Sequence, residues 1–302
     1  MIQLSDIHAA RERLRGGVVD TPCKPTQAFQ DLVPGNLHFK FENLQRTGSF
    51  KDRGALNKLS CLSPEERIRG VVTASAGNHA QAVAYHASRL GICATVVMPE
   101  FTPLIKVSNT KRFGARVIQT GATLSDGLEE VYRMVEEDGM TLVHAFDDDE
   151  VIAGQGTIGL ELIEQAEELK TVVVPIGGGG IISGIAVAVK TLKPSVRIVG
   201  VEAATAASAL TSRKAGRVVG IESAETLAEF SDYLNDSLEL PIWNIDDEGI
   251  HKICNSFFEN VLVSKLKVTD HSGMVFFEKQ RGDPSASVME RTVIMHGDAV
   301  VG

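Results

Sequence analysis

Between Gly70 and Val201 the chain alternates short apolar runs with longer stretches in which apolar residues recur every three or four positions. The runs are Val71–Ala74, Ala94–Met98, Arg116–Gln119, Thr141–Ala145, Val172–Ile176 and Val196–Val201, rich in β-branched residues and of strand length. The stretches between them, His79–Leu90, Leu104–Phe113, Ser125–Glu137, Thr157–Glu168 and Ile181–Leu192, have helical spacing. Gly91 stops the first of these helices, and Pro99 ends the second run. Continuous apolar strands, each followed by a helix, predict a parallel sheet covered on both faces. Upstream, Ser5 is the expected N-cap of a first helix reaching about Arg15, which Gly16-Gly17 ends. No tandem repeat or low-complexity segment interrupts the pattern. The tail from Lys279 to Gly302 shows no clear period.

Length and composition narrow the class. At 302 residues the chain can hold two domains sharing a cleft, and 23% charged with 43% hydrophobic residues is ordinary for a globular protein. The net charge of −9 is spread over solvated clusters such as Glu136-Glu137-Asp138 and Asp147–Glu150, with no basic stripe, so nucleic acid is not an expected partner. Cys23, Cys61, Cys93 and Cys254 form no C-x-x-C pair, which predicts scattered reduced thiols, no metal site and a cytoplasmic location. The N-terminus lacks a basic segment followed by an apolar core, so no signal peptide is expected. Val172–Val189 is uncharged and long enough to raise a membrane question, but Pro175 and the glycines after it would break a spanning helix. No membrane association is expected.

Chemistry concentrates at a lysine and a glycine run. Lys51 lies in Ser49-Phe50-Lys51-Asp52-Arg53-Gly54, and Gly177–Gly180 follow the apolar run Val172–Ile176 and precede Ile181-Ile182-Ser183. Strand, glycine loop and helix start bring backbone N–H groups and a helix N-terminus onto an anion, most simply a phosphate. The loop lacks the G-K-[ST] of a Walker A sequence. A phosphate cradle with a lysine suits a phosphorylated aldehyde cofactor. Gly154-Gln155-Gly156-Thr157-Ile158-Gly159 fits G-x-G-x-x-G, but no convincing strand precedes it and no acidic residue follows at the required distance, so a dinucleotide site is not expected. Ser75-Ala76-Gly77-Asn78-His79 falls between a strand and a helix, where its amides face an anion.

From Phe39 to about Glu202 the chain resembles the pyridoxal-phosphate (PLP) enzymes of fold type II, within them the threonine/serine dehydratases and their serine racemase cousins. Phe41–Lys51, Ser75–Gln81, Ile152–Gly159 and Pro175–Gly180 carry the resemblance, in that order. It implies an α/β protein of the tryptophan synthase β-like type, with two three-layer α/β domains built on parallel or mixed sheets. A small domain at 53–146 would be inserted into a large one formed by 1–52 plus 147–302, with the cofactor between them. It also implies Lys51 as the Schiff-base lysine and base, Phe50 beside the cofactor ring, and Gly177, Gly178, Gly179, Gly180 and Ile181 around the phosphate. Ser75, Ala76, Gly77, Asn78 and His79 would receive the substrate carboxylate, Asn78 would also reach the 3-hydroxyl, and His79 is expected to be structural. The implied cofactor is pyridoxal 5'-phosphate, the substrate a small amino acid and the assembly a homo-dimer or tetramer.

That resemblance implies dehydration of L-threonine or L-serine to a 2-oxo acid and ammonia. Racemases of the family place a serine hydroxyl where this chain has Ala76, and alanine carries no proton, so elimination is expected over racemisation. Elimination of 3-hydroxyaspartate stays open. Glu202 matches a cation-site residue of some relatives without its acidic partner, and no metal is expected. The family's Thr-hydrophobic-Ala-Asp-Gly segment is Thr226-Leu227-Ala228-Glu229-Phe230 here, Glu278 is a weak match to a further segment, and the Ser-Gly-Gly-Asn segment is absent. These departures leave a weakly active or non-catalytic PLP-binding protein as the alternative.

Overall fold

The computed structural model describes residues 1–26, 36–203 and 206–220, and further on the strands at 265–269, 275–280, 292–296 and 299–301. The chain divides into one unit of Met1–Glu202 with Ala207–Val219 and another of Ala203–Ala206 with Gly220–Gly302.

The first unit opens with α1 (Leu4–Leu14), the antiparallel pair β1 (Cys23–Pro25) and β2 (His38–Lys40), and a 3-10 turn at Glu42–Leu44. Gln3, not Ser5, holds the cap position of α1, because Asp6 reaches back to accept the Gln3 N–H at 2.7 Å. Then come α2 (Lys51–Cys61), α3 (Pro64–Arg69), β3 (Val71–Ala74), α4 (Asn78–Arg89), β4 (Ala94–Met98), α5 (Leu104–Arg112), β5 (Arg116–Gln119), α6 (Leu124–Glu137) and β6 (Thr141–Leu142). The strands form a sheet in the order β5-β4-β3-β6, parallel throughout. Val71, Ala94, Val96 and Met98 face a core shared with α2 and α4, while Val72, Ala74 and Val97 face one shared with α6. Both faces are covered, as continuous apolar strands require.

The strand expected over Thr141–Ala145 stops at Leu142. Val143 still donates its N–H to Val72 O at 2.9 Å, but its carbonyl turns to a side chain on α4 and leaves the ladder. The helix expected over Thr157–Glu168 is α7 (Asp149–Gln165), which starts eight residues earlier and ends three earlier. Asp148 caps it by accepting the Val151 N–H at 3.0 Å, and the acidic run supplies its first turn, where carboxylates suit the helix dipole. Gly154, Gly156 and Gly159 therefore lie inside a helix, where they allow close approach and do not cradle a nucleotide. A Cβ on Gly154 would lie 2.6 Å from Arg53 O of α2, one on Gly156 2.7 Å from Ile7 Cδ1 of α1, and one on Gly159 2.8 Å from Ala188 Cβ.

Beyond α7, β7 (Thr171–Pro175) pairs in parallel with β8 (Arg197–Val201), and α8 (Gly180–Leu192) connects them. Ile158 and Leu162 of α7, Val172 and Val174 of β7, and Ile185 and Val189 of α8 make their common core. The last helix of this unit is α9 (Ser208–Ala215). No helix among the described residues is long and apolar enough to cross a membrane.

The second unit contains β9 (Lys265–Thr269), β10 (Val275–Gln280), β11 (Thr292–His296) and β12 (Ala299–Val301), in the order β10-β9-β11-β12. β11 runs parallel to β9 and the other pairs are antiparallel. Within the tail, whose sequence shows no clear period, Thr292–His296 and Ala299–Val301 are strands. Their brevity, with few residues to show alternation, hid them. Glu278 lies in β10 opposite Lys267, while Thr226–Phe230 falls outside the described residues.

A buried ionic network fixes α2 against α7. Arg53, fully buried, donates to Glu42 at 2.7 and 2.8 Å, to Glu161 at 2.5 and 2.9 Å and to Thr157 Oγ1 at 3.2 Å. Lys40 also pairs with Glu161, so two cations meet two carboxylates. Replacing Glu161 by Leu leaves Arg53 and Lys40 short of a counter-charge, and should lower the unfolding free energy by about 3–5 kcal/mol. Urea denaturation measures this; an unchanged midpoint would contradict the arrangement.

Candidate functional site

Lys51 is the first residue of α2 and follows a tight turn. Gly48 takes φ +82°, a conformation open to glycine, and Ser49 Oγ accepts the Lys51 N–H at 3.3 Å. Asp52 accepts from the Thr47 N–H and hydroxyl, both at 2.9 Å, and so ties the two ends of the turn together. The Lys51 amine donates to Ala145 O at 2.7 Å and lies 5.2 Å from the Phe50 ring centroid. Burial lowers its pKa from 10.5 to about 8. At pH 7 about one such amine in ten is neutral, against about one in three thousand at the ordinary value.

The segment after β6 gathers the other groups. Val143 O accepts from His79 Nε2 at 3.0 Å, which leaves His79 Nδ1 buried without a hydrogen-bond partner. Burial first, then the Lys51 charge, pushes the His79 pKa down to about 3, so the ring is neutral. His144 Nδ1 accepts the backbone N–H groups of Phe146 at 3.2 Å and Asp147 at 2.8 Å. Burial lowers the His144 pKa, Asp147 and Asp148 oppose that, and Lys51 adds to it. Its ring meets Phe146 edge to face at 4.6 Å. His144, Ala145 and Phe146 were not legible as site residues. Their part depends on the strand ending at Leu142, and no spacing in the sequence marks that.

The glycine loop meets the same segment. A Cβ on Gly178 would run into the Phe146 ring, and one on Gly180 would lie 2.7 Å from Phe146 O. Around Gly177 and Gly179 a Cβ would meet nothing within 4 Å. Gly179, at φ +89°, occupies the cap position of α8, and no side chain caps that helix. Ile181 in its first turn packs on the apolar cluster that also receives Phe50. An uncapped helix start bordered by open glycines is an anion cradle, and an amine of lowered pKa is held by the residue next to the one packed on that loop. Those features fit a phosphate and an aldehyde.

The loop between β3 and α4 leads directly into His79. Ser75 N–H bonds Val97 O at 3.1 Å, Ser75 Oγ accepts the Gly77 N–H at 3.2 Å, and Ala76 packs half-buried on the sheet core. Gly77 takes the cap position of α4 with no side-chain cap bond, so Asn78 is the first residue of the helix and is exposed. Glu202 has a structural partner: its carboxylate accepts the Ala209 and Leu210 N–H groups at 2.8 and 2.9 Å, capping α9. Among the described residues no group of three or more His, Cys, Asp or Glu could hold a metal ion.

The lowered Lys51 pKa carries a linkage consequence. Between about 8 and 10.5 the unfolded chain binds more protons than the folded one, so stability rises with pH there and the burial penalty is complete below about 8. Lys51→Met should therefore stabilise the cofactor-free protein at pH 7 by up to about 3 kcal/mol, with the gain fading as pH rises through that window. Denaturation at neutral and strongly alkaline pH checks this; an equal difference at both would contradict the buried amine.

A family model for pyridoxal-phosphate dependent enzymes matches residues 14–252. The L-threonine ammonia-lyase of Thermotoga maritima is 49% identical over 202 residues, which are 67% of this chain and 50% of that protein. The catabolic L-threonine dehydratase of Escherichia coli K12 is 46% identical over 202 residues, 67% of this chain and 61% of that one. Among solved structures, maize serine racemase superposes with a TM-score of 0.73 at 39% identity, covering 75% of this chain and 69% of that one. The processed form of threonine deaminase isoform 2 from Solanum lycopersicum gives 0.72 at 39% identity, covering 75% and 62%. The chain thus spans about half to three-fifths of the length of these curated relatives. By its α/β architecture and by this match across most of its residues, the chain belongs to the fold type II pyridoxal-phosphate dependent enzymes.

Proposed function

We propose that this chain catalyses β-elimination of water from L-threonine or L-serine, yielding 2-oxobutanoate or pyruvate with ammonia. The observation that carries the reading is the Lys51 amine, drawn by burial to a pKa of about 8 and held on Ala145 O, next to the residue packed on the glycine loop. Similarity to an L-threonine ammonia-lyase and an L-threonine dehydratase names the substrate class. Bound PLP supplies an aldehyde for the substrate amine and an electron sink for the Cα carbanion.

The residues divide the remaining work. Amides of Gly177, Gly178, Gly179 and Gly180, with Ile181 at the start of α8, hold the phosphate. Phe50 lines the ring side of the cleft. In the loop Ser75-Ala76-Gly77-Asn78-His79 the amides of Ala76, Asn78 and His79 take the substrate carboxylate, and the Asn78 side chain takes the cofactor's 3-hydroxyl. Ser75 and Gly77, whose N–H groups bond Val97 O and Ser75 Oγ, hold the loop's shape. Lys51, neutral in an appreciable fraction of molecules, removes the Cα proton. His79, held neutral, adds no competing cation beside it. The proton that Lys51 takes from Cα balances the one the β-hydroxyl needs to leave as water, and the released enamine is hydrolysed to the 2-oxo acid and ammonia. The Ala76 methyl cannot deliver a proton from the opposite face, which favours elimination over racemisation. In this reading 53–146 is a small domain inserted into a large one of 1–52 plus 147–302. The protein works in the cytoplasm as a homo-oligomer, without membrane or nucleic-acid partners.

A second reading, a PLP-binding protein with little turnover, draws on the third of this chain that lies outside the match to the threonine enzymes. Release of 2-oxo acid from threonine, serine and 3-hydroxyaspartate separates the two. The proposal expects turnover on threonine or serine, falling about a thousand-fold in Lys51→Ala; wild-type protein that holds PLP but releases no 2-oxo acid would establish the second reading. Serine should give pyruvate much faster than D-serine, as measured by chiral chromatography, and equal rates would overturn the role given to Ala76. Gly178→Val places a Cβ where the Phe146 ring packs and should weaken PLP about tenfold or more in equilibrium dialysis. Unchanged affinity would remove the loop from the cofactor site.

A further inference from the structure

The geometry points to a positioning role for the buried Asp52–His86 pair, which fixes the turn that presents Lys51 against the first turn of α4. It rests on the reading of Lys51 as the reacting amine. Asp52 follows Lys51 directly and is fully buried, and His86 is 1% exposed. The Asp52 carboxylate accepts three hydrogen bonds: His86 Nε2 and Thr47 Oγ1 reach Oδ1, and the Thr47 N–H reaches Oδ2, each at 2.9 Å. Two of the three come from the far end of the lysine turn, and the third comes from α4.

These bonds close a circuit. His86 follows His79 by seven residues on α4, two turns along the same face. His79 bonds Val143 O, and two residues later Ala145 O holds the Lys51 amine. From Lys51 the path runs through Ala145 and Val143 to His79, along α4 to His86, across to Asp52 and back to Lys51. Both ends of the lysine residue, its backbone and its amine, are thereby referred to one rigid helix. Tyr85 walls the imidazole edge to face at 4.9 Å and itself meets Phe113 at 5.5 Å.

An apolar pair could fill this volume without the cost of burying a carboxylate. The carboxylate adds direction, because three donors at set angles leave the turn a single seat. Opening the circuit at His86 should let the turn relax and its amine gain water, while His79 and His144, the titratable groups facing Lys51, stay in place. The amine then moves back toward an ordinary lysine.

The test is pH-dependent labelling of Lys51 with an amine reagent on the cofactor-free 302-residue chain, read by peptide mass spectrometry. Wild type should show an inflection near 8. His86→Leu should raise it by about one unit or more, and Thr47→Val, which removes one donor to Asp52, should move it in the same direction. His86→Gln, which keeps an N–H donor, should stay close to wild type. If His86→Leu does not fold, Thr47→Val decides alone. Inflections at the wild-type position in the folded variants, even with lowered thermal stability, would overturn the proposal and leave the pair a packing element. Labelling does not require turnover, so failure of the elimination reading would appear separately, as wild-type protein that holds PLP but releases no 2-oxo acid, and failure of the Lys51 assignment as an active Lys51→Ala enzyme.

Discussion

The hydrogen bond from the Lys51 amine to Ala145 O is the contact on which the rest of this architecture converges. A lysine facing water would be an ordinary cation and a poor base at neutral pH. Here burial lowers its pKa to about 8, and one carbonyl fixes where the amine points. That carbonyl is available because β6 ends at Leu142, after which the Val143 and Ala145 carbonyls turn to side chains. The next residue, Phe146, packs against Gly178 and Gly180. One short segment thus sets the relation between amine and anion cradle.

Helix packing keeps that relation rigid. α2, which begins at Lys51, presses on α7 so closely that a Cβ on Gly154 would lie 2.6 Å from Arg53 O. α7 meets α8 through Gly156, which a Cβ would bring to 3.0 Å from Gly184 O. The helix that carries the lysine and the helix that opens at the glycine loop are therefore both referenced to α7. The Arg53 network reinforces the first contact with charge-assisted bonds in a place where breaking one partner is costly.

What was legible in the sequence was local. The strand at Arg116–Gln119 and the order of strand, glycine loop and helix around Gly177–Gly180 follow from spacing a few residues long. Lys51 was legible because the residues around it resemble one family. Features that arise from tertiary contact were hidden. Gly154, Gly156 and Gly159 matched a nucleotide signature, yet they serve helix contacts visible only once α1, α2 and α8 are in place. Asp147–Glu150 read as a solvated acidic loop, because a cap is defined by the helix it starts. His144, Ala145 and Phe146 gave no signal, since their part depends on where a strand stops.

The central claim is that Lys51 is the amine poised for the cofactor. Borohydride reduction of the PLP-loaded protein, followed by peptide mapping, tests it most directly. The account predicts the pyridoxyl group on the peptide carrying Lys51, and its loss in Lys51→Ala. Label on another lysine, such as Lys40 or Lys58, with Lys51 unmodified, would contradict it.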